Sequence, residues 1–317
     1  MAAWQARWRV GLLALVLLAL SGCASLPQPE PSSSGDQVEL ASVPFHAQEE
    51  DQCGPAALAT VLQAAGIDRS PEQLVDQVFL PQRRGSLQVE LLGASRRAGA
   101  VPYVLGTRSD DLMKEVAAGH PVVVLQDVGL LWSQWHYAVV IGYDRAANTL
   151  TLRSGTTRRL VMSFDSFDRT WAKGGRWAFV ALPPDRLPAT ASEADYVTAA
   201  AAFERVTPAA GPRAYETALV AWPRNLFARL ALGNAAYRQR QLESAAGHYR
   251  QATVDHPESG DAWNNLAQVL SEQGRKEDAV KAAQRAVAIG GPRVAAYVGT
   301  LRAIEPGVVI PASSRDP

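Results

Sequence analysis

Apolar residues along this chain follow first an unbroken run, then a helical spacing, then short β-like runs, and finally a long repeat. The unbroken run is Val10 to Leu20, preceded by Arg7 and Arg9. Leu58, Val61, Leu62 and Ala65 then fall on one helical face between Cys53 and Gly66. Ser70-Pro71-Glu72-Gln73 carries a capping residue, a proline for the first turn and a glutamine able to reach back, which predicts a helix start. Further helices are predicted to start at Ser86, Ser109 and Ser163. Strands are predicted at Val101–Leu105, Pro121–Gln126, Tyr137–Tyr143, Thr149–Arg153, Arg159–Met162 and Trp177–Leu182. Helices come first and strands mostly later, joined by short turns such as Asp144 to Asn148. That order predicts an α+β domain, an antiparallel sheet packed by helices on one side, over residues 43–183.

Pro183, Pro184 and Pro188 then break the pattern, and residues 184–191 read as a linker. From about Ser192 the chain is rich in alanine at helical spacing, with a period of 34 residues. Ala199, Gly233 and Ala267 align, as do Gly211, Ala245 and Ala279; Tyr215, Tyr249 and Ala283; Ala218, Ala252 and Ala286; and Pro223 with Pro257. These small, bulky and proline sites resemble the tetratricopeptide repeat, closely in two units and loosely in the first. The repeats are predicted at about 192–225, 226–259 and 260–293, an all-α solenoid, with a final helix and mobile tail over 294–317. The resemblance implies a protein partner, though Asn225, Asn264 and Asn265 are equally groove, turn or cap residues.

The first run is too short to span a bilayer and has a signal peptide's layout over residues 1–22. Leu20-Ser21-Gly22-Cys23 resembles a bacterial lipobox, which implies cleavage before Cys23 and its acylation. Ala24, rather than an aspartate, resembles the pattern of lipoproteins sent to the outer membrane, facing the periplasm. Several acyl chains anchor essentially permanently. Residues 23–42, with Pro27, Pro29 and Pro31, read as the lipidated cysteine and a flexible tether. The chain holds 31 basic and 31 acidic residues, and loss of Arg7 and Arg9 leaves 29 basic, a balance with no sign of nucleic-acid binding. No metal-ligand spacing or phosphate-binding glycine loop appears, so neither metal nor cofactor is expected.

Once Cys23 is assigned to the anchor, Cys53 is the one other cysteine. It opens the helix in Asp-Gln-Cys-Gly-Pro-Ala-Ala-Leu, where the helix dipole and backbone N–H groups favour a thiolate and can bind an oxyanion. A buried cysteine acting as a small hydrophobe is the competing reading. Of His46, His120, His136, His248 and His256, His136 stands at the mouth of the apolar strand Trp-His-Tyr-Ala-Val-Val-Ile-Gly-Tyr, while His120 before Pro121 reads as a turn residue. Trp132 and Trp135 flank the preceding loop and either wall a substrate site or pack in the core.

Cys-Gly-Pro-Ala-Ala-Leu followed by His-Tyr-Ala-Val-Val-Ile-Gly-Tyr resembles the papain-like cysteine peptidases related to the bacteriocin-processing, double-glycine leader peptidases, over about Val43 to Pro183. The resemblance implies a Cys53–His136 pair and an oxyanion-holding glutamine at Gln48, with Gln52 as competitor. The family's third member, an aspartate or asparagine after the next strand, is replaced here by Ser154 in Ser-Gly-Thr. An uncharged hydroxyl stabilises an imidazolium less than a carboxylate does. The expected activity is hydrolysis of a peptide or protein substrate. Two alternatives stay open, a catalytically weak peptide-binding scaffold and a thiol acyltransferase using the same pair.

Overall fold

The computed structural model of the chain describes residues 35–47, 52–129 and 131–307. Cys23, Gln48, the signal segment and the tail beyond 307 lie outside the described residues. From Asp36 onwards the chain forms one compact unit.

Its first half is built on seven strands: β1 (Gln37–Glu39), β4 (Val101–Val104), β5 (Val122–Asp127), β6 (Trp135–Asp144), β7 (Thr149–Ser154), β8 (Thr157–Ser163) and β9 (Ala178–Leu182). The order is β4-β9-β5-β6-β7-β8, with β1 pairing the Asp144 end of β6. Every pairing is antiparallel. A separate two-stranded ribbon joins β2 (Phe79–Leu80) and β3 (Gly85–Ser86).

Helices α1 (Cys53–Ala64), α2 (Pro71–Val78) and α3 (Gln88–Arg97) pack on one face. In α2 the predicted capping box forms, with Ser70 Oγ accepting from Gln73 N and Gln73 Oε1 from Ser70 N. The helix predicted at Ser86 starts instead at Gln88, because Ser86 is drawn into the β2–β3 ribbon. Leu58, Val61 and Leu62 of α1 are buried against Val139 and Ile141 of β6, each such side chain worth about 1.5–3 kcal/mol.

Helices cover both faces of the sheet rather than one. The opposite side, including Val124, Ala138 and Val140, is covered by α4 (Ser109–Ala117) and α5 (Phe164–Lys173), with Phe167 and Trp171 fully buried. A central strand buried on both faces has no polar alternation to show, which is why β6 reads as a continuous apolar run.

The second half is a run of paired helices: α6 (Glu193–Glu204) and α7 (Gly211–Ala221), α8 (Leu226–Arg238) and α9 (Leu242–Asp255), α10 (Gly260–Glu272) and α11 (Lys276–Ile289), then α12 (Val294–Ile304). The alanines of the 34-residue period, Ala218, Ala245, Ala252, Ala279 and Ala286, are fully buried where helices cross. Asn225 is a cap, its Oδ1 accepting from Ala228 N at 2.7 Å, and Ser259, 34 residues on, caps α10 the same way. Asn264 and Asn265 sit inside α10.

The two halves share an apolar core, which runs from Val101 and Tyr103 of β4 through Tyr196 and Phe203 of α6 to Ala228 and Leu232 of α8. The linker is pinned to the first half. Glu115, fully buried at the end of α4, accepts from Ala189 N, Thr190 N and Thr190 Oγ1 at 3.1, 2.7 and 2.6 Å, and its Oε2 lies 2.7 Å from His120 Nδ1. His120 closes the turn that ends α4, its N donating to Glu115 O at 2.9 Å, and its ring is in addition a buried partner of this clamp. Burial pushes the Glu115 carboxyl up, but hydrogen bonds from His120 and Thr190 outweigh it and hold the group below its ordinary value.

Candidate active site

The nucleophile candidate owes its position to the start of α1. Cys53 is the first helical residue, at the positive end of the helix dipole, and the N-cap, Gln52, makes no side-chain cap hydrogen bond. Cys53 is half-buried and not in a disulfide. Gly54 is required by packing: a Cβ there would stand 2.2 Å from Ser86 Oγ and 2.6 Å from Ser86 Cβ. The missing side chain thus lets the β2–β3 ribbon lean on the helix start.

His136 is the second residue of β6, opposite Gln126 of β5. Its Nε2 lies 2.8 Å from Oγ of Ser154, the last residue of β7. Cys53, His136 and Ser154 line one cleft of about 970 Å³, together with Arg83, Arg84, Ser86, Val128, Gln134, Trp135 and Tyr137. The structure therefore gathers three of the sequence-derived site residues; Gln48 lies outside the described residues. Gln52, the competing glutamine, immediately precedes the helix start.

Burial pushes the His136 imidazole below its usual pKa. Ser154, being uncharged, supplies no opposing field, so the neutral ring is the favoured form at neutral pH. The chain leading towards the site is fixed by Arg153, which donates from Nη2 to Ala41 O and Val43 O and from Nη1 to Arg158 O. His46 Nε2 lies 3.0 Å from Gln63 Oε1 of α1.

Three site features escaped the sequence reading. The Tyr137 phenol donates to Ser86 O at 3.2 Å and is pushed up by burial and by the charge of Cys53. Ser86 itself lines the cleft. Asp127, at the end of β5, accepts from Gly129 N and Gln134 N at 3.0 and 2.8 Å and so closes the loop before His136. These backbone bonds, Gln134 first, hold its carboxyl below the ordinary value. Only Asp127 left a signal in the sequence, a carboxylate ending an apolar strand before a glycine.

A helix that starts at a thiol and a central antiparallel strand that carries an imidazole, both lining one cleft, are the arrangement of a papain-like fold. Residues 40–177 match the model of the Peptidase C39-like family, and residues 230–293 match a tetratricopeptide repeat model. The chain therefore carries a C39-like peptidase domain followed by tetratricopeptide repeats. Among solved structures it is similar to a protein assigned as a C39-like peptidase from Bacillus anthracis, with 20% identity and a TM-score of 0.39 over 46% of this chain and 97% of that one. It is also similar to the peptidase domain of Streptococcus ComA, a bifunctional ABC transporter involved in quorum sensing, with 22% identity and a TM-score of 0.38 over 44% of this chain and 98% of that one. No curated protein matches the chain.

Proposed function

We propose that this protein is a lipid-anchored cell-envelope cysteine peptidase that hydrolyses a peptide bond through Cys53 and His136. Acylation at Cys23 would hold it at the outer membrane facing the periplasm, and the repeats would bind a protein partner. The observation that carries the catalytic reading is the placement of Cys53, at a helix start without a side-chain cap, in one cleft with a histidine whose Nε2 is 2.8 Å from a hydroxyl.

With Ser154 Oγ as acceptor, Nε2 keeps its proton and Nδ1 is the base. In this reading Nδ1 takes the Cys53 proton as sulfur attacks the carbonyl, and the oxyanion faces the Cys53 N–H and the Gln48 amide. His136 returns the proton to the leaving amine, and water, deprotonated by the same ring, releases the acyl group. An added amine in place of that water would make the enzyme an acyltransferase, which product analysis with an amine acceptor distinguishes.

A weak catalyst that serves as a peptide-binding scaffold is the second reading, favoured by the depressed His136 pKa beside an uncharged Ser154. The test is iodoacetamide alkylation of Cys53 against pH, in the mature chain carrying Cys23→Ser. Fast alkylation well below the free-thiol pKa of about 8.5, lost in His136→Ala, supports the peptidase. A rate that titrates like free cysteine moves the assignment to the scaffold.

A further inference from the structure

Val128–Gln134 joins β5 to β6 and ends beside His136. Its stems are fixed: Val128 N donates to Gln134 O at 2.9 Å, while Asp127 Oδ1 accepts from Gly129 N and Gln134 N. At Gly129 a Cβ would stand 1.8 Å from Trp132 O, so the loop folds back on its own backbone at a position only glycine fits. This clamped loop nevertheless leaves Leu131 92% exposed and Trp132 68% exposed, with Trp135 at 55% on the adjoining strand. Core packing of the two tryptophans is thus ruled out, and apolar exposure this concentrated marks a binding surface. Trp135 and Val128 also line the cleft that holds Cys53 and His136, so the patch continues into the site.

We propose that this loop is the specificity element of the peptidase, seating bulky apolar side chains of a polypeptide substrate next to the scissile bond. The inference rests on the peptidase reading for its substrate class. A cleft of about 970 Å³ has room for several residues of an extended chain. A polypeptide suits this site better than a membrane surface, because the apolar rim runs on through Trp135 and Val128 into a concave cleft that Cys53 and His136 line.

The experiment uses the mature chain with Cys23→Ser and Cys53→Ala, titrated with 12-residue peptides in which Phe, Leu or Trp is paired with Ser at each position, and separately with phosphatidylethanolamine–phosphatidylglycerol vesicles. Apolar peptides should bind about tenfold more tightly than their serine counterparts, and Leu131→Ser/Trp132→Ser should reduce that preference to about twofold or less. The doubly substituted chain should keep the parent's far-ultraviolet circular dichroism and urea midpoint, showing an intact fold. Trp135→Thr, which preserves strand propensity, should weaken the preference independently. Equal binding of both peptide series, or loop-dependent binding of vesicles alone, overturns the proposal. Peptides bound with the expected preference but not cut by the chain retaining Cys53 would refute the peptidase reading while the loop assignment stands, and cutting without apolar preference would do the reverse.

Discussion

Replacing Ser154 by aspartate should turn an imidazole that burial keeps neutral into one that is charged at neutral pH. The Ser154 hydroxyl is 2.8 Å from His136 Nε2 and carries no net charge. Two unit charges about 4 Å apart attract by about 4 kcal/mol at the effective dielectric near a protein surface. Desolvation of the new carboxylate in this half-buried cleft offsets part of that. The remainder corresponds to a rise of about 1–2 units in the His136 pKa, or about 1.4–2.7 kcal/mol in favour of the imidazolium. The proton that Cys53 gives up is then better held, so the pH below which alkylation slows should fall by a similar amount.

The His136 value is read by NMR titration of its ring protons in chains with Ser154, Ser154→Asp and Ser154→Asn, and alkylation is followed in parallel. Asparagine should hold the ring without charge and move the pKa by less than half as much as aspartate. An His136 pKa unmoved or lowered by Ser154→Asp would refute the reasoning, because it would mean that the 2.8 Å contact does not govern the ring's protonation. Linkage supplies a further check. His136 titrates below its unfolded value, so the neutral ring's contribution to stability is present above about pH 6.5 and is lost as pH falls through the folded value. Ser154→Asp should reduce or invert that loss, visible as urea midpoints at pH 5 and pH 8.

Gly54→Ala should destabilise the first domain by about 1–3 kcal/mol in urea unfolding, since its Cβ would overlap Ser86, and adding Ser86→Gly should recover most of the loss. Glu115→Ala strips the acceptor from two linker amides and from the Thr190 hydroxyl, each worth about 1–3 kcal/mol when left buried and unpaired, so its melting transition should fall sharply and split as the two halves uncouple. Because Glu115 is held below its unfolded value, its stabilisation is present above about pH 4.3 and disappears as pH falls through the folded value; Glu115→Gln should flatten that acid limb of a stability-against-pH curve. Asp127→Ala removes the acceptor for Gly129 N and Gln134 N, and limited proteolysis should then cut within 128–134 several-fold faster than in the unaltered chain.

The α+β domain, its antiparallel sheet and the helical repeats were legible because periodicity reports which side of an element is buried. Cys53 and His136 stood out as candidates because a thiol at a helix start and an imidazole at a strand mouth are chemically unusual positions, and the structure puts both on one cleft, with Ser154, at the end of the next strand, 2.8 Å from His136 Nε2. What lies across the fold left no such trace. The role of Gly54 depends on Ser86 leaning over from another element, and the Glu115 clamp joins groups 74 and 75 residues apart. Helices on the second sheet face, and a core continuous from β4 into α8, likewise depend on where later elements pack. Trp132 and Trp135 show the division most clearly: their composition suits a core or a binding wall equally, and only the tertiary structure leaves Trp132 in solvent on the loop closed by Asp127 and sets Trp135 in the lining of the cleft. Local spacing determined which elements form and which groups are candidates for the chemistry. Tertiary packing decided the surroundings of each group, because burial, charge and hydrogen-bond partners come from residues that are distant in sequence.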